Sequence, residues 1–381
     1  MPYYSFTMSF QALVRPNILK LVPYRCARDD FSEGVLLDAN ENTSGPAIHD
    51  LKNSEVILEL NRYPDPHQLK LKSLIAKFRG HGLTHENLYL GVGSDEAIDS
   101  IIRVFCKPGI DKLATCVPTY GMYRVSADIN DVKVVSIPLD LETFELQPQV
   151  TIKSLNADPS IKLLYLCSPG NPTGKRLNPE YVELVINNWN GIVVVDEAYI
   201  DFTDGAPSMA PLVNQYDRLI VLQTLSKSFG LAGVRLGLAY ACKELASIMN
   251  ALKAPYNISV LTADTGIRAL SDESIAIMRT YISEIQRERK RLLEALSNIK
   301  GIGRNRGGCD ANFVLVEILD AATNKPSNDR AHEVYNTLAT ERKVVVRFRG
   351  NELGCEGCLR MSIGTKREND ILIRELTDIL G

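Results

Sequence analysis

Short apolar runs recur through the middle of the chain, separated by stretches whose apolar residues fall at helical spacing. Runs at Leu88–Leu90, Lys112–Val117, Val132–Ile137, Ile161–Cys167, Ile192–Val195, Leu219–Gln223 and Leu236–Tyr240 read as seven strands. His67 to Phe78 reads as a helix, with Leu69, Leu71, Leu74, Ile75 and Phe78 on one stripe, and Pro179–Asn187 as another. The alternation predicts an α/β unit, a mostly parallel seven-stranded sheet flanked by helices on both faces. After about residue 265 the texture changes. Ser271–Ile299 predicts one long amphipathic helix, burying Ile275, Met278, Ile282, Ile285, Leu292, Leu293 and Leu296. Strands at Phe313–Ile318, Val344–Phe348 and Leu359–Ile363 follow, with a helix from Asp329 to Arg342 between the first two. Thr365-Lys-Arg-Glu368 is a capping box that opens a last helix. The expected organisation is an N-terminal arm and interface segment over 1–60, a large domain over 61–265 and a smaller α+β domain over 266–381. Asn61–Pro66 carries two prolines too close together for a helix interior and joins the first two parts as a loop.

Composition narrows the class. With 381 residues, 45% hydrophobic and 23% charged, the chain has enough apolar material for two cores. A net charge of -3 without blocks of like charge speaks against nucleic-acid or membrane-surface partners. No apolar run reaches the roughly 18 residues of a membrane span. The first residues, Met-Pro-Tyr-Tyr-Ser-Phe-Thr-Met, carry neither a basic leader nor a continuous apolar core, so a cytoplasmic location is expected. The eight cysteines are scattered; Cys106, Cys116 and Cys167 sit in or beside apolar runs as core residues. Cys355-Glu-Gly-Cys358 alone has metal-like spacing, and without a second pair or nearby histidines no metal is expected.

Candidate chemistry gathers where runs end. Leu219–Leu222 leads into Gln-Thr-Leu-Ser-Lys227-Ser-Phe-Gly, a strand running into a turn that presents one lysine, with Arg235 eight positions on. An amine held in such a turn suits covalent attachment to a carbonyl carbon. A phosphate loop of the G-x-x-x-x-G-K-[ST] kind is excluded, because Leu222 stands where its first glycine belongs. Gly91-Val-Gly93-Ser94-Asp95-Glu96 fails the dinucleotide pattern at Glu96. It reads instead as a helix start, with Ser94 as N-cap and Gly93 allowing close approach, where a phosphate would meet unpaired N–H groups. Tyr165–Gly174 and Ile192–Tyr199 are further strands ending in polar residues, at the edge where open α/β sheets bind ligands.

Taken together, these stretches resemble the fold-type I, class II pyridoxal-phosphate-dependent aminotransferases over nearly the whole chain and in the family's order. Pro23-Tyr24-Arg25-Cys26-Ala27-Arg28, Asp38-Ala39-Asn40-Glu41, Arg62-Tyr63-Pro64-Asp65, Pro118-Thr119-Tyr120-Gly121-Met122-Tyr123 and Gly357-Cys358-Leu359-Arg360 resemble the family's histidinol-phosphate branch. The resemblance implies pyridoxal 5'-phosphate as cofactor, with Lys227 attached to it and serving afterwards as proton carrier. It implies Asp196 opposite the pyridine nitrogen, Asn171 and Tyr199 as donors to the ring oxygen, and Tyr120 stacked on the ring. The phosphate falls to the Ser94 and Asp95 amides, Ser226 and Arg235, with Tyr63 arriving from a second subunit of a homodimer. The implied reaction exchanges the amino group between histidinol phosphate and 2-oxoglutarate, yielding glutamate.

The substrate end rests on arginines. Arg347 and Arg349 alternate with Val346 and Phe348, and Arg360 follows in the next strand. In the wider family the residue matching Arg360 holds a carboxylate; in the histidinol-phosphate branch the anion is a phosphate, with Tyr24 and Arg347 helping. Guanidinium forks suit either anion, so the arginines alone do not choose. Arg349 is expected to be a solvated strand charge and Asn40 to lie near the substrate entrance. Gly170 where many relatives carry asparagine, and Met361-Ser362 where Ile-Thr is common, are departures that remove no needed group. An aromatic amino-acid aminotransferase or a decarboxylase of the same fold remains the alternative.

Overall fold

The computed structural model describes residues 9–23, 52–53 and 57–381. Its larger sheet has seven strands: β1 (Leu88–Val92), β2 (Lys112–Val117), β3 (Lys133–Pro138), β4 (Ile161–Cys167), β5 (Ile192–Asp196), β6 (Leu219–Thr224) and β7 (Leu236–Tyr240). The spatial order is β1-β7-β6-β5-β4-β2-β3, and only β7 runs antiparallel to its neighbours. Successive strand residues belong to opposite faces. Leu164, Leu166, Val193, Val195 and Val221 join one apolar cluster, whereas Leu163, Tyr165, Val194, Ile220 and Leu222 join the other. Both faces are covered, which is why these strands appear as continuous apolar runs and not as alternation.

Helices α1 (Leu69–Arg79), α2 (Gly93–Phe105), α3 (Met122–Ile129), α4 (Pro148–Ala157), α5 (Pro179–Asn188), α6 (Lys243–Leu252) and α7 (Val260–Ala269) cover the sheet. In α2 the stripe Ala97, Ile98, Ile101, Ile102, Val104 and Phe105 is wholly buried. Its start differs from expectation. Val92, not Ser94, occupies the cap position and no side chain caps it; Ser94 lies inside the first turn. A positive φ of 73° at Gly93 turns the chain into the helix within a single residue, so a hydroxyl cap is superseded by a backbone turn.

Helix α8 (Asp272–Leu296) begins at Ser271, whose side chain accepts from the Ser274 amide. Met278, Ile282, Leu292 and Leu296 are buried on it, and Ile275, Ile285 and Leu293 are partly buried. A second sheet follows, ordered β10-β11-β9-β8, from β8 (Ile302–Asn305), β9 (Phe313–Ile318), β10 (Arg347–Phe348) and β11 (Cys358–Ser362), with α9 (Asn328–Thr340) and α10 (Lys366–Leu380). The capping box at Thr365 and Glu368 forms as predicted. The strand expected over Val344–Phe348 shrinks to two residues. Lys343 has a positive φ of 58° and the Val344 amide donates back to the Leu338 carbonyl at 2.8 Å, so the valines stay tied to the end of α9. Strand β8, Ile-Gly-Arg-Asn, is too polar to have been foreseen. Cys355 and Cys358 are free and buried, and no group of metal-binding side chains occurs among the described residues. No described helix is long and apolar enough to cross a membrane.

Candidate active site

Strands β4, β5 and β6 run parallel and end side by side at Cys167, Asp196 and Thr224, while α2 begins beside them. Their ends floor a cleft of about 400 Å³, roofed by Arg347, Arg349 and Arg360 of the smaller sheet. Ser94, Asp95, Tyr120, Asn171, Asp196, Tyr199, Ser226, Lys227 and Arg235 line it as well. Convergence of this kind, from segments as far apart as Ser94 and Arg360, is what the strand-end reading anticipates for a doubly wound sheet.

Asp196 closes β5 and is 3% exposed. Its carboxylate accepts from the Tyr123 hydroxyl at 2.8 Å and from the Ala198 amide at 3.1 Å. Burial pushes its pKa up, and those two bonds offset the rise only in part. A buried acid with no cation in hydrogen-bonding contact is costly unless a positive partner enters the cleft. Tyr123 carried no role in the sequence reading. It stacks on Tyr165 with ring centres 4.8 Å apart, which fixes its hydroxyl toward Asp196.

Lys227 follows β6 in an open turn and extends into the cleft, its Nζ 5.6 Å from the centre of the Tyr199 ring. The residue is exposed to the cleft, yet protein surrounds the amine closely enough that burial, then the Arg360 charge, lowers its pKa. Among the described residues none accepts a hydrogen bond from this amine. Tyr199 is 8% exposed and meets Phe313 edge-on at 5.2 Å. Asn171 accepts through its Oδ1 from an Arg360 guanidinium nitrogen, which leaves its amide N–H₂ for the cleft. Tyr120 donates to Asp95 at 3.3 Å and meets Tyr123 edge-on at 5.6 Å.

At the other end, the first amides of α2 lack partners within the helix and face the cleft with the positive end of the helix dipole. Arg235 stands at a positive φ of 56°, holds the Gly93 amide through its own carbonyl at 2.9 Å and pairs with Asp95 at 3.3 Å. Ser226 sits 2.9 Å from the Thr224 hydroxyl. Close approach is enforced by glycine: a Cβ on Gly237 would lie 2.1 Å from the carbonyl carbon of Gly93.

On the roof, Arg360 reaches over the Phe313 ring at 5.2 Å. Arg349 overturns its expected place as a solvated charge. It lines the cleft, pairs with Glu352 at 3.0 Å, and its Nε is buried without a partner. The strand on which it was placed ends at Phe348, so outward alternation no longer governs it. Tyr63 is not part of this cleft; it is 54% exposed and stacks on Tyr256 at 4.6 Å. Tyr24 and Asn40 lie outside the described residues.

An amine, a buried lone carboxylate, a phenol with an amide beside it, and an anion cup of helix amides with Ser226 and Arg235 form the donor set that pyridoxal phosphate calls for. The residues present therefore fit that group. Residues 30–376 match the aminotransferase class I and II family. The histidinol-phosphate aminotransferase of Candida maltosa is 53% identical, covering 97% of this chain and 98% of its own. That of Schizosaccharomyces pombe is 51% identical, covering 96% of each. Among solved structures, the histidinol-phosphate aminotransferase of Sinorhizobium meliloti in complex with pyridoxal-5'-phosphate superposes with a TM-score of 0.75, at 20% identity over 96% of this chain and 97% of that one, and so shares the fold.

Proposed function

The chain belongs to the class I and II aminotransferase family, and from that premise we propose that it transfers the amino group of L-histidinol phosphate to 2-oxoglutarate, giving imidazole-acetol phosphate and L-glutamate in histidine biosynthesis. The observation that carries this reading is the division of the cleft: an amine and a lone buried acid at its floor, and three guanidinium groups at its roof. A donor whose amino group is separated from a strongly charged phosphate spans those two ends. The near full-length likeness to two enzymes named for that donor supports the same choice.

When bound, pyridoxal phosphate supplies a carbonyl that condenses with amines and a ring that draws electrons away from the adjacent carbon. The protein's part is holding and proton transfer. With that group bound, the free Lys227 amine would take a proton from the carbon bearing the donor's amine and return one on the far side of the transfer. Its lowered pKa keeps a larger neutral fraction for this work than an ordinary lysine has. Asp196 would hold a positive ring nitrogen by a charge-assisted hydrogen bond, stronger than a neutral one. Tyr199 and the Asn171 amide would donate to the ring oxygen, and Tyr120 would cover the ring. The Ser94 and Asp95 amides, Ser226 and Arg235 hold the cofactor phosphate, with Tyr63 supplied by a second subunit of a homodimer. Arg347 and Arg360, with Tyr24, take the substrate's phosphate, and Asn40 borders the entrance. Arg349 joins them as a further guanidinium within reach. The protein acts in the cytoplasm, with an N-terminal arm and interface segment over 1–60, a large cofactor-binding domain over 61–265 and a small C-terminal domain over 266–381.

One preparation, loaded with pyridoxal phosphate and 2-oxoglutarate, tests the reading against histidinol phosphate, phenylalanine and histidine. The expected result is a kcat/KM for histidinol phosphate at least about 10²-fold above the other two, since a site built around a polar group rejects donors that lack it strongly. Equal or higher efficiency with phenylalanine would transfer the assignment to an aromatic amino-acid aminotransferase.

A further inference from the structure

Each of the three residues that act at the floor of the cleft is followed closely by one that faces the other way. Glu197 comes directly after Asp196, Asp201 two positions after Tyr199, and Ser228 directly after Lys227. None of these followers lines the cleft. They gather behind it, around Arg79 at the end of α1. The two forward nitrogens of the Arg79 guanidinium grip the Asp201 carboxylate at 2.7 and 3.2 Å, and its Nε donates to Gln223 of β6 at 2.6 Å. Asp201 also accepts from the Ser228 hydroxyl at 2.6 Å. Gln223 passes the connection on, donating to Glu197 at 2.9 Å, while the Met209 amide and Ser208 hydroxyl complete the Glu197 carboxylate at 2.7 and 2.5 Å.

The network is largely buried and its side-chain polar groups are hydrogen-bonded to one another. Side chains of Arg79 and Asp201 are 13% and 14% exposed, and Ser228, Gln223 and Glu197 are buried. Burial alone pushes the Asp201 carboxyl up; the Arg79 charge and the hydrogen bonds from Arg79 and Ser228 more than reverse this, so Asp201 stays ionised. The geometry matters most at the turn. Among the described residues, the Ser228 hydroxyl makes the one side-chain hydrogen bond between Lys227–Gly230 and any other element. A second attachment is apolar: Phe229 meets Phe78 of the same helix edge-on at 5.5 Å and also packs against the cluster of Phe202, Met278 and Ile282. A lysine that extends without a hydrogen bond into an open cleft gets its position from its backbone, and that backbone is anchored at α1.

We propose that Arg79, acting through Asp201 and Ser228, is a positioning residue for the reaction: it holds the turn after β6 so that the Lys227 amine meets the reacting carbon. The proposal rests on the reading of Lys227 as the proton carrier. An error of about 1 Å in a catalytic group can cost on the order of 10²-fold in rate, which sets the scale expected here.

The test uses the holoenzyme for kinetics and the cofactor-free protein for hydrogen exchange at residues 225–231. Ser228→Ala and Arg79→Met should each lower kcat by on the order of 10- to 100-fold with KM changed by less than about threefold, the mark of a contact felt at the transition state. Both should speed exchange across 225–231 in the cofactor-free protein. Arg79→Lys keeps the charge without the two-pronged grip and should fall between wild type and Arg79→Met. The double variant should be no slower than the worse single one, because both act along one route. Arg79→Met leaves a buried carboxylate unpaired and is the variant most prone to misfold; Ser228→Ala removes only a hydroxyl and carries the test by itself. Wild-type kcat together with wild-type exchange in Ser228→Ala overturns the proposal. Lys227→Ala is run alongside: full turnover there defeats the functional reading, and the exchange arm then decides on the tether separately.

Discussion

Asp196 shows how the role proposed for one residue can come at the expense of the cofactor-free fold. Its carboxyl is buried and its pKa raised, so ionisation in the cofactor-free protein is unfavourable. A folded pKa above the unfolded value means the favourable contribution is complete below the unfolded pKa and is lost as pH rises through the folded one. Asp196→Asn should therefore raise the Tm of the cofactor-free protein at neutral pH by at least about 2 °C, the shift of roughly 1 kcal/mol in a domain of this size. The gain should shrink as pH is lowered below the folded pKa. Turnover should fall by on the order of 10²-fold, the scale of losing one preorganised electrostatic contact. Thermal scans at two pH values and single-turnover rates check both halves; a variant less stable at neutral pH would show that the carboxylate is not strained. Arg360 couples the two ends of the cleft, since it bonds Asn171 and its charge lowers the Lys227 pKa. Arg360→Ala should weaken both half-reactions by about 2–5 kcal/mol, as for truncating one side of a buried charge pair. It should also raise the Lys227 pKa, measurable by nitrogen NMR of the cofactor-free protein, because a nearby positive charge has gone. At this scale the cleft was well legible: Lys227, Asp196, Asn171 and Tyr199 all sit at ends of apolar runs. Arg349 was not, because its direction depends on where a strand stops, and Arg79 was not, because its partner Asp201 lies 122 residues away.

Among elements, the junction of β1, α2 and β7 is where shape, not side-chain chemistry, makes the anion cup. Gly237 pairs with Gly91 in β1, and its missing Cβ lets the backbone at Gly93 press against β7. Gly237→Ala would place a carbon 2.1 Å from the Gly93 carbonyl carbon, against backbone that has no rotamer to yield. The start of α2 should be displaced, and with it the Ser94 and Asp95 amides. The expected outcome is a cofactor affinity at least about 10-fold weaker, with overpacking also costing about 1–3 kcal/mol of stability; cofactor titration and thermal unfolding measure the two separately. Unchanged affinity would mean that the first turn of α2 takes no part in holding phosphate. Periodicity revealed the helices and central strands because burial on one stripe or on both sheet faces leaves a direct mark on composition. It failed at Val344–Val346 and at β8. In the first case a backbone bond to α9 outweighs β-propensity, and in the second pairing with β9 compensates for a polar sequence.

For the molecule as a whole, the larger sheet supplies the floor groups of the cleft and the smaller one its guanidinium roof, and the two are also joined away from it, where Leu315 and Cys358 share the larger sheet's apolar core. Sequence order foretold a parallel sheet, but the reversed direction of β7 left no trace in residue type. An inner strand covered on both faces is apolar whichever way it runs. That reversal has a consequence in time. Because β7 runs backwards between β6 and β1, Leu88 pairs with Tyr240 and Val92 with Leu236. At a synthesis rate of ~5–20 residues per second, β1 leaves the ribosome about 8–30 seconds before its partner strand among the described residues, about 150 residues downstream, exists. The same pairing is what brings Arg235 to Gly93, so the cup cannot assemble on a nascent chain that ends before β7 has emerged. Stalled chains ending at residue 230 should neither protect β1 from protease nor retain pyridoxal phosphate, whereas chains stalled well past β7 should protect β1. On the proposed reading, cofactor loading would then wait for finished or nearly finished polypeptides, while the strand at the sheet's edge spends its first seconds with its backbone groups unpaired.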